Sequence, residues 1–448
     1  MAGVKISVIG AGSMVFSLSL LRDLCLTKGL YGSTVSFMDI NEERLEVIYG
    51  LARRYAKEMK ADLKLEKTTD RRESLENADF VINTALAVSH KRAETQRLIA
   101  EKYGYRRGCF PLCHDEAIYI NFYQFKLFQS IIDDIQELCL DAWYIQCANP
   151  VFAGCTLLTR TSKVKIVGLC HGFYGGIDNM LRLLSLDRAN VAAEAPGINH
   201  FIWLTHFFHK GQDAYPILDE WIEKKAQQCW ENPHWLSSDG MGPKAVDLYR
   251  MFGLFPIGDT CTPGGGSWPW WYHTDDATEK RWKEDPNVWW GCYYKYYQDR
   301  MEDMFRVAAD PSTSVTSFFP PEETFETNVS IIEALLDIRP GVFQVNIPNR
   351  GAVPSLAEDI VVEIPAFVSG RGIQGLQVDD FPKALTLQLK DRVNAMEREL
   401  EAYIAKDRRI LLQLLLSDPW TKTIDQAGEV LEEILSLPFN REMAKHYK

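Results

Sequence analysis

Long apolar runs are missing from this chain: none reaches the ~18 residues that cross a bilayer as a helix. Basic tracts are missing too. Lysine and arginine number 49 against 61 aspartates and glutamates, for a net charge of −12. Nucleic acid is held by clustered cations, so it is excluded as a partner. The ten cysteines contain no CxxC pair. Their scatter fits small buried hydrophobes in a reducing compartment better than a disulfide framework. No internal repeat and no low-complexity segment occurs. The opening Met-Ala-Gly-Val-Lys-Ile enters a strand at once and is unlike a signal peptide. The expectation is a soluble, cytoplasmic protein without membrane or nucleic-acid partners.

What the chain does have is alternation. At roughly 150 residues per domain, 448 residues allow two or three domains. Strands are expected at 5–9, 34–38, 63–67, 80–84, 143–146 and 164–168. Helical spacing fills the intervals at 15–26, 42–59, 90–103, 119–139 and 156–160. That pattern is an α/β fold, a Rossmann-like doubly wound parallel sheet. After about residue 197 the pattern changes. Residues 201–209 alternate like one antiparallel strand, 288–308 and 382–405 read as long helices, and 342–347 and 360–367 read as strands. We divide the chain into 1–196, a nucleotide-binding domain, and 197–448, a second α+β domain expected to pack on the open ends of the parallel strands. The second part is expected to carry catalysis, substrate and oligomer contacts. Aromatic residues crowd between 268 and 297. They suit sugar faces, or equally a core or subunit interface.

Polar residues gather where strands stop. Gly10-Ala11-Gly12-Ser13 sits between a strand and a helix, where glycines let a pyrophosphate approach the backbone and the helix N-terminus. Val15 stands where a third glycine is usual. Asp39 ends the second strand, placed to accept hydrogen bonds from adenosine ribose hydroxyls. A carboxylate there repels a 2′-phosphate and so favours NAD over NADP. Asn83 and Thr84 end the strand 80–84 and join the cofactor-binding set; Asn149 follows a later one. Cys170 and His171 follow the apolar run 166–169, and Asn199-His200 comes about one βα unit later. In isolation such a pair reads as a buried thiol and a satisfied core histidine.

These segments together resemble glycoside hydrolase family 4, NAD- and metal-dependent glycosidases outside the two-carboxylate scheme. The resemblance rests on Ile9-Gly10-Ala11-Gly12-Ser13, Phe37-Met38-Asp39-Ile40, Ala78-Asp79-Phe80-Val81-Ile82-Asn83-Thr84 and Ala148-Asn149-Pro150. It continues through Gly168-Leu169-Cys170-His171-Gly172, Gly197-Ile198-Asn199-His200 and Pro256-Ile257-Gly258-Asp259-Thr260. Val345-Asn346-Ile347-Pro348-Asn349-Arg350-Gly351, Val361-Val362-Glu363-Ile364-Pro365-Ala366 and Gly372-Ile373 complete it. His171 places the chain nearest the α-glucosidase and α-glucuronidase branch; the phosphoglycoside branch has aspartate there. Residues 108–125 and 263–271 depart from the family pattern, and both are expected to border the sugar.

The resemblance implies an α-glycosidase acting on an α-glucoside, an α-galactoside, or an α-hexuronide or other anionic sugar. NAD takes a hydride from C3, a base removes the acidified C2 proton, the C1 group leaves, water adds, and the hydride returns. It implies Cys170 and His200 as metal ligands. Softness alone would suggest zinc; manganese comes from the family. Asp259 is the expected base at C2, against a plain turn-capping role. His171 is either the acid for the leaving oxygen or an orienting group. Asn149, Asn349 and Arg350 are expected at the substrate, Asn346 more weakly, and Arg350 or Arg107 could meet an acidic sugar. Family members are dimers or tetramers, so a homodimer or homotetramer is expected. The alternatives are a net NAD-dependent dehydrogenase of a sugar or hydroxy acid, and a non-catalytic NAD-binding regulator.

Overall fold

A computed structural model describes residues 3–13, 16–106, 120–232, 240–261, 269–324, 326–379 and 381–448. Six strands form its parallel half: β1 (Lys5–Ile9), β2 (Thr34–Met38), β3 (Lys64–Thr68), β4 (Phe80–Asn83), β5 (Trp143–Gln146) and β6 (Lys165–Gly168). They lie in the order β3-β2-β1-β4-β5-β6, the doubly wound arrangement. The central strands are buried on both faces, so their sequences are continuous apolar runs; Ile6 and Val8, with Val81 and Ile82, are fully buried. Helices α1 (Phe16–Leu26), α2 (Glu42–Met59), α3 (Arg71–Leu75), α4 (His90–Lys102), α5 (Phe122–Leu138), α6 (Val151–Thr161) and α7 (Gly172–Leu184) fill the connections. Local chemistry sets their ends. Asn41 caps α2 by accepting from Arg44 N at 3.0 Å, Glu42 and Glu43 sit at its positive end, and Lys60 stops it in a left-handed conformation.

The remaining strands are β7 (Val191–Glu194), β8 (Gly197–Ile198), β9 (Phe201–Leu204), β10 (His206–His209), β11 (Gln212–Asp213), β12 (Phe255–Ile257), β13 (Gly341–Pro348), β14 (Val361–Ser369) and β15 (Gly372–Gly375). Here the structure departs from expectation in two ways. The later strands extend the parallel sheet sideways: β13 runs antiparallel to β6, the order continues β14-β8-β9-β12, and β15 pairs with β14 off this row, giving one sheet of 12 strands among the described residues. The stretch 201–209 is two strands, not one. Phe201 to Leu204 are all buried within the large sheet, whereas β10 joins a three-stranded sheet with β7 and β11. The break falls at Thr205, whose N–H donates to Glu194 O at 2.9 Å. Four consecutive apolar residues mark a strand covered on both faces, and the polar alternation starts only after them.

Two apolar cores result. The larger joins the parallel sheet to β13 and β14 and to the C-terminal helices Lys383–Ala405, Arg408–Leu416 and Ile424–Ser436. The smaller lies between α7, β9, β12 and the helices Tyr215–Lys224 and Pro243–Phe252. Within the aromatic cluster Tyr272 is buried, its ring 4.8 Å from that of Trp282, while Trp270 meets Trp420 of the C-terminal segment. No helix among the described residues is long and apolar enough to cross a membrane.

Candidate active site

The first half of the site is the loop after β1. Gly10 and Ala11 donate their N–H groups to Met38 O at 3.0 and 2.9 Å, which ties the loop to β2. Gly12 N donates to Asp39 Oδ2 at 2.8 Å, and a Cβ on Gly12 would lie 2.7 Å from that same oxygen. A side chain there would push the Asp39 carboxylate out of this position. Asp39 Oδ1 accepts from Asn41 N at 2.8 Å, so each carboxylate oxygen keeps a lone pair for a further donor. Thr84 Oγ1 donates to Ile9 O and Gly10 O, both at 3.1 Å, and pins the loop from the β4 side. Ser13 N donates to Gly10 O at 3.1 Å; Val15 lies outside the described residues. A glycine loop closed onto a strand-end carboxylate fits the adenosine and pyrophosphate of a dinucleotide.

Asn83 requires correction. It is fully buried, donates to Tyr144 Oη at 2.8 Å and Gln146 Oε1 at 3.3 Å, and accepts from Ala85 N at 3.1 Å. Its amide fixes the end of β4 against β5 and presents nothing to a cofactor. A strand-end asparagine looks the same in sequence whether it turns toward a ligand or into the sheet.

The second half is assembled by register. Gly168 of β6 pairs with Asn346 of β13, Asn346 with Glu363 of β14, Glu363 with Gly197 of β8, Gly197 with Ile202 of β9, and Ile202 with Ile257 of β12. Cys170, His200 and Asp259 each stand two or three positions along the chain from this row. Cys170 Sγ lies 3.6 Å from His200 Nε2, and Asp259 Oδ2 lies 3.3 Å from the same nitrogen. The three donor atoms fall within 4.8 Å of one another. His200 is buried and holds a left-handed φ of 59°. Asp259 is brought in by Gly258, whose φ is also 59°; a Cβ there would lie 2.5 Å from Gly172 O. Thr260 Oγ1 accepts from Ile202 N at 2.9 Å and locks that turn to β9.

The convergence on one nitrogen discriminates between two chemistries. In a nucleophilic triad, thiol and carboxylate address opposite nitrogens of the imidazole. Here both face Nε2, which has at most one proton to share. Two ligands at roughly 2.0–2.3 Å from one tetrahedral ion stand about 3.4 Å apart, so the 3.6 Å between Cys170 Sγ and His200 Nε2 suits a shared cation, with the Asp259 carboxylate beside it. Burial pushes the Cys170 thiol up, the His200 imidazole draws it down, and Glu363 and Asp259 push it up again. A cation between these groups reverses that balance and makes the thiolate the stable form.

The other expected residues are not part of this three-atom cluster. His171 is exposed at the start of α7, its Nδ1 3.8 Å from Glu326 Oε1. Asn149 is half-buried at the turn into α6. Asn349 is a second correction. It is 1 % exposed, donates to Val353 O, Leu356 O and Ala357 O at 3.0, 2.9 and 3.1 Å, and accepts from Val353 N at 2.7 Å. It closes its own loop and has no face toward a sugar. Arg350 is exposed in that turn, with a φ of 46° and its N–H on Glu358 O. Arg107 and the segment 107–119, like 262–268, lie outside the described residues.

Sequence reasoning assigned no role to Glu326 or Glu363. Burial pushes the Glu326 carboxyl up while His171 draws it down. Glu363 is 2 % exposed and accepts from Asn199 Nδ2 at 2.9 Å and Asn346 Nδ2 at 3.4 Å. The available signal was a lone carboxylate inside the apolar run Val361-Val362-Glu363-Ile364, which buried strands admit only for a reason.

Comparison with known proteins identifies the family. The family 4 glycosyl hydrolase model matches residues 5–186, and the family 4 C-terminal domain model matches residues 195–421. An α-glucosidase of Erwinia rhapontici is 27% identical over 471 residues, covering 96% of this chain and 97% of the relative. An α-galacturonidase of Thermoanaerobacterium saccharolyticum is 26% identical over 460 residues, covering 96% and 95%. Among solved structures, a 6-phospho-α-glucosidase from gut microorganisms, in complex with NAD and Mn2+, superposes with a TM-score of 0.75 at 18% identity, covering 97% of each chain. With both halves matched in order and nearly end to end, the chain belongs to the family 4 glycosyl hydrolases.

Proposed function

We propose that this protein hydrolyses an α-glycoside with NAD and a divalent cation, Mn2+, as resident cofactors. The carrying observation is the meeting of Cys170 Sγ and Asp259 Oδ2 at His200 Nε2. This cluster follows β6, and the glycine loop follows β1, at the same edge of one parallel sheet. When bound, NAD accepts and returns a hydride at the sugar's C3, and the cation polarises the oxygens on C2 and C3.

The chain's own residues do the rest. Gly10, Gly12, Ser13, Asp39 and Thr84 form the nucleotide seat, with Asp39 accepting from ribose hydroxyls. Cys170 and His200 hold the cation and leave its remaining positions to the sugar. Asp259, on the rim of that pair, removes the C2 proton. The C1–oxygen bond then breaks, His171 gives the leaving oxygen its proton, and water adds at C1. Asn149 addresses a sugar hydroxyl. His171 in place of aspartate, together with relatives named for glucosides and galacturonides, supports an unphosphorylated hexose or hexuronic acid as the substrate class. We divide the labour at residues 1–196 and 197–448, and place the enzyme in the cytoplasm as a homodimer or homotetramer.

The test is a panel of aryl α-glucosides, α-galactosides and α-hexuronides with NAD, Mn2+ and a thiol, run in D2O. Cleavage that requires NAD, deposits deuterium at C2 and accumulates no NADH is expected. Net NADH formation without cleavage would instead identify a dehydrogenase, and cleavage by nucleotide-free protein would exclude the mechanism.

A further inference from the structure

Glu363 is a carboxylate buried in the middle of a sheet: its strand β14 pairs with β8, which leads to His200, and with β13, which in turn pairs with β6, which leads to Cys170. Its Oε2 accepts from Asn199 at 2.9 Å and from Asn346 at 3.4 Å, and Asn199 immediately precedes His200. The backbone at His200 is left-handed, a conformation that side-chain-bearing residues rarely adopt without support. The β8–β9 hairpin is tight as well: a Cβ on Gly197 would sit 2.1 Å from Phe201 O. The favourable groups around Glu363 are the two amides and the His200 imidazole. Burying a carboxylate there opposes folding, and an apolar residue would serve the strand better. The residue therefore has to be explained by what it holds.

We propose that Glu363 is the positioning residue of the cation site. Through Asn199 it fixes the turn that aims His200 Nε2 at Cys170 and Asp259. Asn346 braces the carboxylate from the β13 side, where its amide also reaches Gly168 O at 3.5 Å, two residues before Cys170. One carboxylate thus references both ligand-bearing turns to the same row of the sheet. Ligand-orienting partners of this kind typically change metal affinity by about 10- to 100-fold. The proposal rests on the reading of Cys170 and His200 as cation ligands.

Asn199 Oδ1 and Asn346 Oδ1 are buried without hydrogen-bond partners. A glutamine at 363 keeps an acceptor for the amides and offers its own N–H to those oxygens, so Glu363→Gln is expected to fold. Asn199→Ser is the second variant, because it cuts the link and leaves the carboxylate in place. The experiment measures Mn2+ binding to the full-length protein by electron paramagnetic resonance, NAD binding by fluorescence, and metal-free melting. Visible spectra of cobalt-loaded protein report the ligand geometry. Glu363→Gln should melt at or above wild type, bind NAD unchanged, bind Mn2+ about 10- to 100-fold more weakly and shift the cobalt bands. Asn199→Ser should lose about tenfold in Mn2+ affinity.

Unchanged Mn2+ affinity in either folded variant, or an equal loss of NAD affinity, overturns the proposal. If Glu363→Gln does not fold, Asn199→Ser decides. Cys170→Ser is the control: if it binds Mn2+ as wild type does, the cation-site reading itself fails. If it loses Mn2+ while Glu363→Gln does not, only the role of Glu363 fails.

Discussion

The two halves of the active site are built on opposite plans. The nucleotide loop is local: Gly10, Gly12 and Asp39 lie within one βαβ unit, joined by a bond from Gly12 N to Asp39 Oδ2. The cation cluster is remote: Cys170, His200 and Asp259 follow β6, β8 and β12, strands that are not neighbours, and their turns are referenced to one row of register carried through the strands between. A local motif carries its geometry in its own sequence. A remote one depends on every strand between its parts, so buried residues such as Glu363 belong to the site without touching its contents.

The largest expected effect separates the halves. Cys170→Ser should lower Mn2+-dependent turnover by about a thousandfold or more, with NAD affinity unaltered; turnover and nucleotide binding measured on the same sample decide it. Gly12→Ala is the converse. Its Cβ collides with Asp39 Oδ2, so NAD should bind at least about tenfold more weakly, roughly 1.4 kcal/mol, while Mn2+ binding holds. Loss of both ligands in either variant would mean that the halves are not independent.

Asn83→Ala sharpens the correction made above. It removes the amide that donates to Tyr144 and Gln146 and accepts from Ala85 N, and should destabilise the fold by about 1–3 kcal/mol, seen in denaturant unfolding, with little change in NAD affinity. A large NAD defect in folded protein would return Asn83 to the cofactor site.

The smallest effect lies outside both halves. Burial alone would raise the Glu58 carboxyl, but hydrogen bonds from Thr316, Val315 and Ser314 outweigh it and bring it from 4.5 down to about 2. The folded value lies below the unfolded one, so the stabilisation is complete above about pH 4.5 and is lost as pH falls toward 2. Wild type should exceed Glu58→Gln in stability at pH 7, and the gap should close on acidification. A gap independent of pH would contradict this, and neither ligand's affinity should respond.

The parallel half was legible because its signals are short-range. Apolar runs of four or five residues, helical spacing and strand-end glycines placed β1, β2 and β5 at their observed bounds. The junction was not: a single register contact, Asn346 to Gly168, joins β13 to β6, and no local pattern announces it. The same limit explains the site. Cys170, His200 and Asp259 were named from their flanks, yet their convergence on one imidazole nitrogen was not foreseen. Asn83 and Asn349 were misplaced because the direction of an amide depends on neighbours from other strands.

By itself the sequence determined the α/β class and the glycine loop with its closing carboxylate, since each follows from nearest-neighbour sterics and side-chain chemistry, while the candidate cation ligands came from the family resemblance of their flanks. Only the tertiary structure decided that the later strands complete the same sheet, which polar side chains turn inward, and that thiol and carboxylate meet at one nitrogen. Those outcomes are fixed by strand pairing between segments far apart in the chain. Pairing energy depends on which face each strand buries, and no single segment encodes that.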